Sequence, residues 1–299
     1  MRIVFMGTPE FAVPSLKAML DAGHEMVAVV TAPDKPSGRG LKLQPSAVKL
    51  FATKEGLPIL QPQSLKDAKF RDELVALAPD LFVIVAFRII PAALIDIPKF
   101  GSINLHASLL PQYRGAAPIN WAIINGEPET GVTTFFIKPK VDTGDILLQE
   151  KTPIGSNETA GDLHDRLMQL GAMVVVKTVE MIQKGDYRAM PQQQSGTLRI
   201  APKIFPAGCE LNKPMTTQEA HNFIRGLSPH PGAWMLFRNR KLKLLHSVPA
   251  PRPEGTPGTL SINSTALWLS CTDGALVITE VQAEGRNKMG AAEFVRGLR

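Results

Sequence analysis

The chain is poor in the residues that build metal centres and disulfide frameworks. Only Cys209 and Cys271 occur among 299 residues, and no Cys or His pair has the short spacing of a zinc site, so neither disulfides nor a metal are expected. Long apolar runs are also missing. The most apolar stretch, Leu81 to Phe87, is short and ends at Arg88. The amino end, Met1 to Gly7, is too brief for a secretory leader and lacks the Arg- and Ser-rich character of a transit peptide. A cytoplasmic protein without membrane contact is therefore expected. Gly7-Thr8-Pro9-Glu10 has neither the glycine spacing of a dinucleotide fingerprint nor the lysine of a phosphate loop. No Gly-x-Ser-x-Gly elbow accompanies the histidines, and Ser108 alone is a weak nucleophile candidate, which disfavours covalent catalysis.

What is present suits a two-domain globular protein, with 44% hydrophobic and 20% charged residues. The net charge of +6 is uneven: from Gly208 onward 11 Lys and Arg face 7 Asp and Glu, against 22 and 20 before it. A basic final third suits a polyanionic partner such as nucleic acid, or is simply solvated.

Over the first two hundred residues, short β-rich runs alternate with helical patterns. Arg2 to Met6, Met26 to Thr31, Leu57 to Leu60, Leu81 to Ala86 and Ser102 to His106 read as strands; Val13 to Leu20 and Ser46 to Glu55 read as helices. Such alternation predicts an α/β fold, a Rossmann-like and mostly parallel sheet with ligands beyond the carboxyl ends of its strands. Two further strands, Gly131 to Ile137 and Asp145 to Gln149, precede a long helix from about Thr159 to Gln183. Residues 1–200 are thus expected to form a catalytic domain and the proline-rich stretch 201–217 a linker. Residues 218–299 read as a smaller domain: a helix to Leu227, then short strands making an OB-like β-barrel, then a final helix over Ala291 to Arg296.

The chemistry concentrates in Ser102-Ile103-Asn104-Leu105-His106. Alternate residues of a strand share a face, so Asn104 and His106 project together at its carboxyl end. An amide and an imidazole aimed at one oxygen make an oxyanion device; the plain alternative is a buried histidine satisfied by backbone groups. Asp142, in the glycine- and proline-flanked loop after the next strand, reaches the same edge if the sheet is parallel or mixed, where it can orient or charge the histidine. It can equally well cap its own turn. The loop Lys35 to Lys42 offers Lys35, Arg39 and Lys42 to phosphates or to solvent, and Arg238, Arg240, Lys241 and Lys243 do so on the barrel.

Taken together, Gly7-Thr8-Pro9-Glu10-Phe11-Ala12-Val13-Pro14, Gly56-Leu57-Pro58-Ile59-Leu60-Gln61-Pro62, the segment from Ser102 through Ile119, Val141-Asp142-Thr143-Gly144-Asp145, Ala201-Pro202-Lys203-Ile204 and Pro231-Gly232-Ala233-Trp234 resemble the methionyl-tRNA formyltransferase family nearly end to end. The resemblance implies transfer of a formyl group from 10-formyltetrahydrofolate to the amino group of methionine on initiator tRNA; a Lewis-acid metal would be redundant to that chemistry, and a monomer is expected. It implies a catalytic trio of Asn104, His106 and Asp142, and folate contacts from Ser108, Leu109, Leu110 and Pro111 and from Phe87, Arg88 and Ile89. The Lys35 to Lys42 loop and the basic barrel match the parts that meet tRNA. Two departures stand out. Arg88 replaces the family's glycine, so either that backbone needs no positive φ or the pocket mouth differs. Gln112-Tyr113 replaces a basic-aromatic pair. A formyltransferase for a small amine, such as a nucleotide sugar, and a noncatalytic RNA-binding module remain as alternatives; the complete trio weighs against the latter.

Overall fold

The computed structural model describes residues 1–37, 42–193, 196–250 and 255–298, with the backbone alone for Ser37 and Lys42. The chain opens with β1 (Arg2–Gly7), α1 (Val13–Asp21), β2 (Glu25–Val30), β3 (Lys35–Ser37), β4 (Lys42–Gln44), α2 (Ala47–Lys54), β5 (Ile59–Leu60) and α3 (Ala68–Ala76). There follow β6 (Leu81–Val85), α4 (Ala92–Ile95), β7 (Ser102–His106), β8 (Arg114–Gly115), α5 (Pro118–Ile124), β9 (Glu129–Phe136), β10 (Ile146–Pro153) and α6 (Ala160–Lys184). The last part holds β11 (Ile200–Ala201), α7 (Thr217–Leu227), β12 (Ala233–Phe237), β13 (Arg240–Ala250), β14 (Leu260–Asn263), β15 (Ala266–Ser270), β16 (Ala275–Ala283), β17 (Met289–Gly290) and α8 (Ala291–Arg296).

These elements form two compact units that do not follow a single cut in the chain. One comprises Met1–Arg114, Gly131–Thr152 and Asp165–Arg199; the other comprises Gly115–Thr130, Pro153–His164 and Ile200–Arg299.

The first unit is built on a seven-stranded sheet of order β10-β9-β7-β6-β1-β2-β5. Its central strands are apolar on both faces, as parallel strands covered by helices must be: Ile3 to Met6 and Leu81 to Val85 are buried throughout. α2 begins where the Ser46 hydroxyl accepts the Lys49 N–H at 3.0 Å, a helix cap. Only Ile59–Leu60 of the expected Leu57 to Leu60 strand pairs with β2, because the Leu57 N–H is spent closing α2 against the Ala52 carbonyl at 2.9 Å. The sheet is mixed: β1, β2, β5, β6 and β7 pair in parallel, and β9 runs antiparallel to β7.

In the second unit the strands form a curled antiparallel sheet of order β12-β13-β16-β15-β14, with β17 on β16. No pairing joins β14 to β12 among the described residues, which makes it a half-barrel. Its core gathers Leu242, Leu244, Leu267, Ile278 and Val281 around Ile224 and Leu227 of α7, with Cys209 and Leu211 from the stretch before that helix. A capping box closes the start of α7: Thr216 accepts from the Glu219 N–H, and the Glu219 carboxylate accepts from the Thr216 N–H. Both cysteines are free and buried. No described helix is long and apolar enough to cross a membrane.

Candidate active site

β7 and its parallel neighbours bring the site to one edge of the sheet. Registers Gly7↔Val85 and Val85↔Leu105 align the ends of β1, β6 and β7. Ile103 and Leu105 are buried on one face, while Asn104 and His106 share the other. Asn104 is half-buried, and among the described residues no hydrogen bond engages its carboxamide.

His106 is 7% exposed, and its Nε2 donates to the Tyr113 carbonyl at 2.8 Å. Nδ1 faces the Asp142 carboxylate at 4.0 Å, beyond direct hydrogen-bond reach. A histidine held by a backbone group and a histidine beside a carboxylate are thus one and the same residue. Asp142 is 13% exposed and sits at φ 53, a left-handed conformation uncommon for a residue with a side chain. Gly144 is required two residues on: a Cβ there would lie 1.5 Å from the Phe136 carbonyl oxygen.

The loop after β7 is fastened throughout. Ser108 donates to the Gln112 carbonyl at 2.7 Å, and Thr133 donates to the Ser108 carbonyl at 2.6 Å while accepting from Leu110 N–H at 3.2 Å. Gln149 adds bonds to the Leu110 carbonyl (2.9 Å) and to Thr133 Oγ1 (2.8 Å). Leu109 and Pro111 are half-buried, and Leu110 packs with Phe135 and Ile146. Gln112 is engaged by backbone: its Oε1 accepts from Arg199 N–H at 2.8 Å and its Nε2 donates to the Thr197 carbonyl at 3.4 Å.

Beyond β6 the positive φ falls on Ala86, at 48, and not on Arg88. The glycine-to-arginine departure therefore strains nothing in the backbone. Instead the Arg88 side chain spans to the neighbouring loop, donating to the carbonyls of Pro62 (3.1 Å) and Gln63 (3.3 Å) over the Phe87 ring. Burial pushes its pKa below the ordinary guanidinium value, and its buried Nε has no partner. Ile89 is exposed.

Three groups at this site carry no sequence signal: the Tyr113 carbonyl, Arg114 and Gln192. Gln192 Oε1 accepts from Arg114 Nε (3.1 Å) and Nη2 (2.6 Å), and its Nε2 donates to the carbonyls of Asp142 (3.0 Å) and Gly144 (2.8 Å).

Of the basic residues, Lys35 is exposed at the start of the β3–β4 hairpin; Arg39 and the Lys42 side chain lie outside the described residues. In the second unit Arg238 occupies the β12–β13 turn at φ 48, with Arg240 exposed beside it. Lys241 and Lys243 share one face of β13, Lys241 lying 4.2 Å from the centre of the Trp234 ring, and both line a shallow depression with Gln282 and Glu284.

Comparison with known proteins agrees with this architecture. The formyl transferase family matches residues 1–179, and the formyl transferase C-terminal domain matches residues 203–299. Fold and sequence thus define a formyl transferase, an enzyme that moves one-carbon groups. The chain is 45% identical to a methionyl-tRNA formyltransferase of Porphyromonas gingivalis, covering 100% of this chain and 96% of the relative. It is 44% identical to one of Geobacter sulfurreducens, over 100% and 94%. An N-formyltransferase from Helicobacter canadensis, solved in complex with folinic acid and dTDP-3-aminofucose, shares the fold with a TM-score of 0.68 at 22% identity, over 97% of this chain and 100% of that one. The chain belongs to the methionyl-tRNA formyltransferase family.

Proposed function

We propose that the chain transfers the formyl group of 10-formyltetrahydrofolate to the α-amino group of methionine esterified to initiator tRNA, in the cytoplasm, for translation initiation. The observation that carries this reading is the meeting of an unengaged Asn104 carboxamide with the His106 and Asp142 pair at one sheet edge, in a chain that matches its relatives from end to end. An α-amino group has a pKa of about 8, and esterification of its carboxyl lowers it further, so a usable fraction is neutral at pH 7 without a strong base.

The folate supplies the formyl group when bound. Asn104 donates an N–H to the formyl oxygen as negative charge develops there. The Nε2 bond to Tyr113 fixes the imidazole, which leaves Nδ1 for the reaction. With both nitrogens protonated, the ring donates from Nδ1 toward that oxygen while Asp142 balances its charge and passes the amine proton through water to the folate nitrogen, which leaves protonated as its bond to the formyl carbon breaks. Phe87, Arg88 and Ile89 and the fastened loop Ser108, Leu109, Leu110 and Pro111 flank the pair as folate contacts. Lys35, Arg39, Lys42, Arg238, Arg240, Lys241 and Lys243 hold the tRNA backbone, and the protein acts as a monomer.

The test is single-turnover formylation of charged initiator tRNA by His106→Ala and Asp142→Asn, with binding of both substrates measured in parallel. His106→Ala should lose on the order of a hundredfold or more in rate, the usual effect of removing an oxyanion donor, with tRNA affinity retained. Normal turnover by both variants refutes the assignment. Faster transfer to free amines or amino-sugar nucleotides than to charged tRNA would replace the acceptor.

A further inference from the structure

We propose that Gln192 is a positioning residue for formyl transfer, acting by holding Asp142 against His106; this rests on the reading of Asp142 given above. The carboxamide uses every hydrogen-bonding site it has: both lone pairs of Oε1 take Arg114, and both hydrogens of Nε2 go to the carbonyls of Asp142 and Gly144. It thereby joins two loops that belong to different strands. Arg114 follows Tyr113, whose carbonyl holds His106 Nε2, and Asp142 lies between β9 and β10.

The Asp142 loop has need of an outside tie. Its residues 138–141 are exposed, Val141 to 49%, so apolar packing does little to fix it. The bonds from Thr143 Oγ1 to the Lys140 carbonyl (2.9 Å) and from Lys138 to Asp145 (2.8 Å) close within the loop. Asp142 itself is left-handed, a conformation that aspartate tolerates better than most residues but that outside bonds to its backbone help to hold. The antiparallel run of β9 adds to the demand: register Ile103↔Phe136 starts the loop beside the beginning of β7, whereas His106 stands at its end. The loop must return along the strand to bring the carboxylate there, and Gln192 grips the backbone at the residue that does so.

Only a group that accepts on one side and donates on the other serves this geometry. Glutamate at 192 would keep the pair with Arg114 but turn an oxygen toward two carbonyl oxygens, releasing the loop without removing the strut. Q192E should therefore slow single-turnover formylation of methionyl-tRNA by about tenfold or more, with KM for 10-formyltetrahydrofolate and for the tRNA changed by less than about twofold. Q192M, which loses both sides, should do the same, and thermal unfolding of both variants separates a released loop from a lost fold. The decisive readout is the double-mutant cycle with Asp142→Asn: if Gln192 acts through Asp142, Q192E costs nothing further in the D142N background. Undiminished rates in Q192E and Q192M, or the same fold loss in D142N as in the parent, overturn the proposal. A normal rate for D142N alone overturns the underlying reading of Asp142 instead, so the two failures are told apart.

Discussion

Gly144 and Gly208 differ in what a single methyl group would meet. At Gly144 the added carbon would lie 1.5 Å from the Phe136 carbonyl oxygen and 3.1 Å from Phe135 Cδ2, so backbone must move; at Gly208 nothing lies within 4 Å. Neither glycine has a positive φ, so the contrast is one of space alone. Gly144→Ala should cost about 2–4 kcal/mol in urea unfolding and slow formylation, whereas Gly208→Ala should stay within about 0.5 kcal/mol. Equal midpoints for the two variants would contradict the close approach. At this scale the placement of the proposed trio was legible: period-two alternation pairs Asn104 with His106, and the turn chemistry around Asp142 marks a strand-end loop. Their supports were not legible. The Tyr113 carbonyl belongs to the backbone and has no residue type to betray it, and Gln192 lies 78 residues from Arg114 in sequence.

Among the elements, the β3–β4 hairpin is rooted by polar contacts. Asp34, just before β3, takes Lys49 of α2 at 2.6 Å and Gln61 after β5 at 2.9 Å, while Thr31 and Ser46 share a hydroxyl bond of 2.7 Å. The bond from Lys49, with that from Gln61, holds the Asp34 carboxyl below its ordinary pKa. A depressed carboxylate stabilises the fold above its unfolded pKa and loses that contribution as pH falls through the lower folded value. Acid unfolding of Asp34→Asn should therefore depend less steeply on pH in the carboxylate range than that of the parent, and identical acid limbs would count against the tie. Element bounds were readable where caps or glycines end a pattern, as at Ser46 before α2 and at Ser102 to His106 after Gly101. β13 was not: its alternation ends near His246, yet it runs on to Ala250 through Pro249, because β16 pairs with it from Leu242 to Ala250 across register shifts between Leu244 and Ser247. Pairing with a strand distant in sequence outweighed the local breaker, as tertiary context overrides strand propensity.

Across the molecule, the net charge of +6 makes the proposed hold on a polyanion testable through its salt dependence. If Lys241 and Lys243 each neutralise a phosphate, replacing either by Gln should weaken methionyl-tRNA binding and reduce the log-log salt slope by about one. An unchanged slope would make that face of β13 merely solvated. The alternation of βα patterns and the later run of short strands made both fold classes readable. The partition of the chain was not readable, since 115–130 and 153–164 cluster with the carboxyl-terminal strands through contacts that local pattern does not record. In that second unit α5 lies on α7, with the Asn120 amide on the Gly226 carbonyl at 2.8 Å, and a Cβ at Gly226 would come within 2.7 Å of Ile124. Gly226 is thus a socket shaped for a visitor from far upstream. A carboxyl-terminal fragment begun at residue 203 would carry the socket without its plug, so this part of the molecule is poorly suited to being cut out and transplanted as a free-standing cassette.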